Sequence, residues 1–347
     1  MQSSPIIGFH HITMNTGGAQ EDYDFHVKLL GLRMVKKTIL FDGTRPVYHL
    51  YYGNERGEES TLLTTFPFRQ DGRVAKPGSG QVKAVSMSVP QSALDFWEHR
   101  LKSAQVEYQK LERLGTKRLA LKHPCGIEYE LVGVPDDSRT PYAGAGVPPE
   151  AAIRGIYGTT ISARDVAEMH EFMTDAMGFK VAGKDNRETR YGIRDGAPGR
   201  IVEILHDPDL PQGSWRFGAG TVHHIAFHVD DKATQASFKA YLEGLGYTDC
   251  SEPKDRGYMM SVYFRTPAGT LFEAAYLYGG GFLKDEPVET LGTQICTPPW
   301  LLDRRDEFLS SLEPIVDCAP DLRPPSQYQQ TTVTSEEIGR ASCRERV

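Results

Sequence analysis

Two histidine doublets begin strand-like segments that lie about two hundred residues apart. The first is His10-His11 and the second is His223-His224, and Glu273 follows in another strand-like segment, residues 270–274. Two imidazole nitrogens and one carboxylate oxygen on one face form a 2-His-1-carboxylate set, which leaves open positions on a divalent iron. The pattern therefore predicts a metal centre that can take up further ligands.

Alternation along a strand selects one histidine of each doublet. Side chains at positions i and i+2 share a face of a strand. The isoleucine that follows each doublet suits the buried face beneath a helix, so His11 and His224 are expected on the open face. His10 and His223 are then expected on the opposite face, where they would support the ligands rather than bind the metal.

The doublets belong to a fourfold repeat of a strand, a helix and a short β meander. The four modules span residues 8–66, 81–135, 155–207 and 221–279. Helix-like apolar spacing covers residues 19–32, 93–104, 165–177 and 232–245. A βαβββ module is too small to bury its own sheet, so the modules must pair. The predicted fold class is α+β, with four βαβββ modules forming two paired-module barrels that each enclose a cleft.

A polar link rich in Pro and Gly, residues 135–149, divides the modules into two halves. The predicted organisation is an N-terminal pair of modules in 1–150, a C-terminal pair in 151–285 and an extension in 286–337. The codons implied by residues 338–347 resemble a sequencing adapter. We expect that segment to be an assembly artefact, and the fold prediction excludes it.

Comparison of the repeats suggests an ancestor with two metal sites. The alignment matches His11 with Gly158, His224 with Ala84, and Glu273 with Glu130. One set of positions keeps both imidazoles and the other has lost both. Modules one and four must therefore share the metal cleft, with modules two and three forming an empty one. Glu130 is expected either buried beside a polar neighbour or facing solvent.

Composition limits the class of protein. The chain has 347 residues with 39% hydrophobic and 24% charged side chains, which is typical of about two globular domains. Its net charge of −7 argues against nucleic acid or an anionic membrane as partner. No apolar run reaches the ~20 residues of a membrane span, and no signal peptide begins the chain, so a cytoplasmic location is expected. Five scattered cysteines without a CxxC pair predict reduced thiols.

Several longer runs resemble a known family. The chain is similar to the ring-cleaving dioxygenases of the vicinal oxygen chelate superfamily, and among them to the para-hydroquinone 1,2-dioxygenases. The similarity covers most of residues 8–310. It rests on residues 9–13, 30–38, 48–53, 64–67, 212–215, 256–258 and 265–267.

This resemblance implies a function and a set of site residues. It implies Fe(II), with Mn(II) left open, held by His11, His224 and Glu273 for the reaction of a small aromatic substrate with O₂. It also implies supporting residues around a phenolic substrate, namely His10, Thr13, His223, Arg256 and Tyr263. His228 lies ~13 Å from His224 along the strand and is a weaker candidate, for contact with the substrate's far end. A homo-oligomer is left open.

Three alternatives remain at this stage. A catechol extradiol dioxygenase would use the same metal, but its ligands lie within modules three and four, where Gly158 cannot supply an imidazole. A glyoxalase-like metalloenzyme normally uses four protein ligands, and the repeat offers no second cleft-facing carboxylate. A non-enzymatic protein that sequesters small molecules would need no metal, so the three intact ligands argue against it.

Overall fold

The structure is a computed structural model that describes residues 4–41, 43–69, 72–214 and 217–316. Its strands are β1 (Gly8–Thr16), β2 (Arg33–Phe41), β3 (Pro46–Gly53), β4 (Leu62–Pro67), β5 (Gln81–Pro90), β6 (Tyr108–Arg113), β7 (Thr116–Lys122), β8 (Glu128–Val134), β9 (Gly155–Ala163), β10 (Lys180–Lys184), β11 (Glu188–Gly192), β12 (Ile201–His206), β13 (Thr221–His228), β14 (Lys254–Asp255), β15 (Met259–Arg265), β16 (Leu271–Leu277) and β17 (Ile295–Cys296). The α-helices are α1 (Ala19–Tyr23), α2 (Leu94–Ser103), α3 (Ala167–Glu171), α4 (Lys232–Gly244) and α5 (Arg305–Ser311). Helices α1 and α3 continue as π-helical turns over Asp24–Leu29 and Phe172–Ala176, and short 3₁₀ turns cover Gln91–Ala93, Gly281–Lys284, Val288–Thr290 and Pro299–Arg304.

The strands form two curled sheets of mixed direction. The site sheet has nine strands in the order β14-β15-β16-β13-β1-β4-β3-β2-β17, and the second sheet has eight in the order β10-β11-β12-β9-β5-β8-β7-β6. The site sheet thus joins modules one and four, while the second sheet joins modules two and three. Both the predicted fold class and the predicted pairing of modules are confirmed.

Strand β1 shows why these sequences form curled sheets with two covered faces. Phe9, Ile12 and Met14 are buried within the main apolar core. The polar residues among them, including His11 and Thr13, are also buried. A strand with alternating apolar and polar side chains must be covered on both faces if all of them are buried. The concave side of the curled sheet encloses the second face.

The sequence did not locate three of the strands, although the predicted βαβββ modules imply two of them, β6 and β14. Strand β6 is an edge strand whose side chains are mainly exposed or half-buried, so its sequence lacks the apolar alternation of a central strand. Strands β14 and β17 have two residues each, and both are also edge strands. Strand β17 comes from the C-terminal extension and pairs in parallel with β2 of module one. Edge strands carry a weak sequence signal because only one neighbour constrains them.

In the structure the C-terminal extension covers residues 278–316, from the end of β16, and so begins before the predicted position 286. It packs against the edge of the site sheet. The ring of Phe282 lies 5.1 Å from that of Tyr51 and 5.5 Å from that of Tyr258, measured between centroids. Asp285 Oδ2 lies 2.5 Å from Lys36 Nζ and accepts a hydrogen bond of 2.6 Å from the Tyr258 hydroxyl. Residues 317–347, which include the adapter-like segment, lie outside the described part of the chain.

Two further expectations concern the chain as a whole. Within the described residues, none of the helices combines the length and the apolar character that crossing a membrane requires. Cys125, Cys250 and Cys296 are free cysteines in the structure. Cys318 and Cys343 lie outside the described residues.

Candidate metal centre

Three adjacent strands of the site sheet bring the predicted ligands together. His224 on β13 is paired with Thr13 on β1, and Ala226 on β13 is paired with Glu273 on β16. His224 Nε2 lies 3.0 Å from His11 Nε2 and 2.8 Å from Glu273 Oε2, and His11 Nε2 lies 3.7 Å from the same carboxylate oxygen. All three side chains are buried. Residues separated by most of the chain thus meet at one point.

A β-bulge accompanies each histidine doublet. His10 is the unpaired residue of β1 and His223 the unpaired residue of β13. The expectation that they lie on the opposite face was wrong, because a bulge turns two consecutive side chains toward roughly the same side. The Nδ1 atoms of His10 and His11 lie 2.9 Å apart, and those of His223 and His224 lie 2.7 Å apart. Each bulged histidine therefore holds its neighbour with Nε2 facing the centre, as metal-bound histidines are commonly oriented.

The charges at the centre suit a divalent cation. Burial lowers the pKa of His11 to about 3, against the opposing effect of Glu273. Burial and the nearby Arg256 guanidinium lower the pKa of His224 to about 3. Both rings are therefore neutral near pH 7, which is the form that binds metals. Within the described part of the chain, neither buried carboxylate oxygen of Glu273 has a hydrogen-bond partner, so a cation bound here would compensate a costly buried group.

Polar side chains surround the three ligands. Thr13 Oγ1 lies 2.9 Å from His224 Nε2 and 2.7 Å from Thr64 Oγ1. The Arg256 guanidinium donates to the Tyr263 hydroxyl oxygen at 3.2 Å, and the Tyr263 ring lies 5.4 Å from the His224 ring. The supporting residues predicted from the resemblance thus lie around the centre.

Two other histidines lie near the site in different ways. His228 is paired with Gly8, and its ring lies 6.0 Å from that of His10. His228 is therefore next to His10 rather than next to the ligands. His49 had no predicted role, yet its Nε2 lies 3.2 Å from Thr64 Oγ1. The signal that could have identified His49 is its place on β3, where it alternates with Tyr51 on a strand two positions from β1.

A cleft of about 480 Å³, including its open mouth, reaches His223 and His224. Phe217 lies in its wall and stacks on the His223 ring at 3.7 Å between centroids. Arg265 and Gln212 also line this cleft. Of the three proposed ligands, His224 lies in the wall of this cleft.

Comparisons with known proteins agree with this geometry. The sequence profile described as Glyoxalase/Bleomycin resistance protein/Dioxygenase superfamily matches residues 155–274. The chlorohydroquinone/hydroquinone 1,2-dioxygenase of Sphingobium indicum is 45% identical over 315 residues, which cover 90% of this chain and 98% of the relative. A Bacillus subtilis protein named "Putative ring-cleaving dioxygenase MhqO" is 35% identical, with 89% and 96% covered. This chain belongs to the ring-cleaving dioxygenases of that superfamily.

Solved structures lead to the same family. A Bacillus subtilis structure matches with a TM-score of 0.85 at 34% identity, covering 91% of this chain and 100% of that one. Glyoxalase I from Zea mays matches with a TM-score of 0.58 at 14% identity, covering 77% of this chain and 92% of its own, and shares the fold alone. The family resemblance predicted from the sequence is confirmed, and with it the class of enzyme, an oxidoreductase of the dioxygenase type.

In this ring-cleaving dioxygenase, ion pairs occupy the equivalent region of the second sheet. Glu130 is buried, accepts a hydrogen bond of 2.8 Å from Ser86 Oγ and lies 2.7 Å from the Arg118 guanidinium. Of the two expected arrangements for Glu130, the buried and paired one is therefore present. A Cβ atom on Gly158 would lie 2.3 Å from the carbonyl oxygen of Ile201, so no imidazole fits at that position.

A second group of potential ligand atoms lies between modules one and two. The side chains of Asp22, His26 and His123 bring one ligand atom each within 4.8 Å of one another. Protein groups already engage three of the four ring nitrogens, however. His26 Nδ1 lies 2.9 Å from the Asp22 carbonyl oxygen, His26 Nε2 lies 2.8 Å from the Tyr129 hydroxyl, and the Cys125 amide donates to His123 Nδ1 at 3.1 Å. The group is therefore a polar contact between modules.

Proposed function

We propose that this protein is an Fe(II)-dependent dioxygenase that cleaves the ring of hydroquinone or a substituted hydroquinone beside a hydroxyl group, with O₂ as the second substrate. His11, His224 and Glu273 would hold the metal. The observation that carries the proposal is the buried Glu273 carboxylate, which lies between two neutral imidazoles and accepts no hydrogen bond from the described residues. The substrate class rests on the name of the Sphingobium relative.

The ligand set matches what the chemistry requires. When bound, a divalent iron supplies a Lewis acid that favours the deprotonated form of a phenolic hydroxyl and mediates electron transfer between the substrate and oxygen. Two neutral histidines and one carboxylate leave a net positive charge on such an ion, which suits an anionic phenolate. Mn(II) prefers similar ligands and is the alternative that metal analysis must separate.

Arg256 and Tyr263 supply charge and a proton donor beside the ligands. Burial and Glu273 raise the pKa of Tyr263, so its phenol stays protonated. Because the Arg256 guanidinium donates to the Tyr263 oxygen, the Tyr263 proton is free to point toward an oxygen atom of the substrate. The half-buried guanidinium adds a positive charge that favours a phenolate in the cleft.

Thr13 and the bulged histidines position the ligands. Thr13 Oγ1 lies close to both His224 Nε2 and Thr64 Oγ1, so its hydroxyl can turn between the cleft and the strand β4. Burial keeps His10 neutral by lowering its pKa, and its buried Nε2 atom has no hydrogen-bond partner among the described residues. The proposal assigns the reaction to the cytoplasm, in agreement with the three free thiols.

The test is metal analysis followed by oxygen uptake. Protein purified without oxygen should contain about one iron per chain, and chelation should abolish activity that Fe(II) restores. Hydroquinone should consume about one O₂ per ring, whereas phenol should not react, because a site that binds two hydroxyls rejects an analogue lacking one by up to roughly 10⁴-fold. Catechol as much the best substrate would overturn the hydroquinone assignment. Absence of uptake with every diphenol would overturn the enzyme proposal.

A further inference from the structure

His49 lies on β3, on the other side of the ligand strands from Tyr263 on β15. In the site sheet, β3 stands two strands from β1 on one side, and β15 stands two strands from β13 on the other. The pairing register repeats this symmetry, since Tyr51 on β3 is paired with Thr64, and Tyr263 on β15 is paired with Glu273. The centre is therefore flanked by two tyrosines. One is joined to Arg256 and the other to His49.

The surroundings of His49 connect it to the cleft. Its side chain is half-buried, and its ring lies 4.5 Å from Phe66, which lies 5.6 Å from His223. Burial, Arg256 and the ligand His224 hold the pKa of His49 well below its usual value, so the ring is neutral. A neutral imidazole can hydrogen-bond a substrate without adding charge.

Tyr51 determines which nitrogen of His49 carries the proton. The Tyr51 hydroxyl is buried 2.9 Å from His49 Nδ1, and burial raises the pKa of Tyr51, so it remains a phenol. Among the described residues, His49 Nδ1 is the acceptor that this hydroxyl reaches, so the phenol donates there. The remaining proton of the neutral ring then sits on Nε2. The ring of Phe282 fixes the Tyr51 ring from the other side, at 5.1 Å between centroids.

The Nε2–H group of His49 makes only a long hydrogen bond within the described protein. Its distance of 3.2 Å to Thr64 Oγ1 is at the long end for a hydrogen bond, so the proton can be shared with another oxygen. From His49 Nε2 to His224 Nε2, the path runs through Thr64 and Thr13, with contacts of 3.2, 2.7 and 2.9 Å. Two threonine hydroxyls thus connect His49 to the ligand His224.

We propose that His49 Nε2–H binds the hydroxyl oxygen of a para-hydroquinone that lies across the ring from the metal, and that Tyr51 is the positioning residue that keeps the proton on Nε2. This inference rests on the proposed function and adds a contact for the far side of the substrate. Arg256 and Tyr263 lie next to the ligands, whereas His49 would bind the second hydroxyl of the substrate.

The test compares the binding of hydroquinone and phenol, which differ by that hydroxyl alone. Affinities are measured without oxygen, by calorimetry on the Fe(II)-loaded protein. His49→Phe keeps an aromatic ring but removes both nitrogens, and should reduce the preference for hydroquinone over phenol by about tenfold, the value of one hydrogen bond. His49→Gln retains an N–H donor and should keep part of the preference. Tyr51→Phe should lower the preference for hydroquinone over phenol and shift the pH profile of kcat/KM.

Tyr52→Phe is the matched control. Tyr52 is the next residue on β3, and its hydroxyl donates to Asp22 at 2.7 Å, away from the cleft. This variant should keep the wild-type preference.

Iron content and circular dichroism show whether each variant is folded and loaded. Should His49→Phe not fold, His49→Gln and Tyr51→Phe carry the test. An unchanged preference in folded His49 and Tyr51 variants overturns the inference, as does a wild-type protein that binds both ligands equally. Failure of the wild-type protein to consume oxygen with hydroquinone would instead overturn the proposed function.

Discussion

Glu273 carries the only negative charge among the three proposed ligands, and its surroundings leave that charge unbalanced. The side chain is fully buried between His11 and His224, and neither carboxylate oxygen accepts a hydrogen bond from the residues that the structure describes. A buried anion without donors destabilises a fold. Its position is therefore better explained by metal binding than by stability of the metal-free protein.

Replacement of Glu273 separates metal binding from folding. Glu273→Gln should abolish tight Fe(II) binding and ring cleavage, yet it should raise the free energy of unfolding of the metal-free protein by about 1 kcal/mol, because a buried charge is removed. Metal analysis, oxygen uptake and urea unfolding measure the three quantities. Glu128→Gln is the control, since Glu128 is half-exposed on β8 of the second sheet. Full activity of Glu273→Ala without added carboxylate would refute the ligand assignment.

At this scale the sequence predicted the ligands but not their neighbours' positions. The spacing of the doublets and the repeat identified His11, His224 and Glu273. Strict alternation then misplaced His10 and His223, because the extra residue of a bulge depends on the pairing between β1 and β13. That pairing joins distant segments, so no local pattern reports it. His49 was missed for a related reason, since its role depends on Thr64 and Tyr51 across β3 and β4.

At the scale of elements, the C-terminal extension stabilises the wall that supports His49. Phe282 and Asp285 of this extension contact Tyr51, Tyr258 and Lys36. The Lys36 side chain is fully buried, and its ammonium lies 2.5 Å from Asp285 Oδ2 and 4.5 Å from the centre of the Tyr258 ring. A buried ammonium requires a nearby anion.

Asp285→Asn should therefore destabilise the protein and weaken the cleft wall. We expect the free energy of unfolding to fall by about 2 kcal/mol, less than for a fully buried pair, because the Asp285 side chain is 29% exposed. Asp306→Asn in the same extension should change it by less than about 0.5 kcal/mol, since the Asp306 side chain is 97% exposed. Thermal and urea unfolding compare the two variants. Equal effects would show that the Lys36 contact contributes nothing.

The sequence could not reveal this role of the extension. Strand β17 has only two residues, and its pairing with β2 joins segments more than two hundred positions apart. The central strands were predicted because their alternation is local and strong. Edge strands such as β6 gain their conformation from one neighbour, and their polar sequences resemble loops.

At the scale of the whole molecule, two sheets of similar architecture have different contents. The repeat predicted how the modules pair, because the ligands had to meet. It did not predict the buried side chains of the second sheet. There, Arg118 and Glu203 form an ion pair with 2.7 Å between guanidinium and carboxylate. Arg190 adds a further contact to Glu203 at 2.8 Å. Long charged side chains in unrelated segments gave no pattern that joined them.

This difference between the sheets predicts how acid affects stability. Burial alone would raise the pKa of Glu203, but the Arg118 guanidinium lowers it to about 2, below its ordinary value of 4.5. A carboxyl group with a lowered pKa stabilises the fold above pH 4.5, and that contribution is lost as the pH falls toward 2. The buried histidines of the site sheet act in a different range. Their lowered pKa values, about 3 for His11 and His224, cost stability as the pH falls from about 6.5 toward 3.

Glu203→Gln distinguishes the two contributions in metal-free protein. At pH 7 the variant should lose about 3 kcal/mol of unfolding free energy, because Arg118 is left partly unpaired in a buried position. Urea unfolding between pH 7 and pH 3 should show a constant gap from wild type down to about pH 4.5, since the histidines titrate equally in both proteins. Below that pH the gap should narrow, because the wild type protonates Glu203 on unfolding and loses its advantage. A gap that stays unchanged down to pH 3 would show that the Arg118–Glu203 pair does not hold the second sheet together electrostatically.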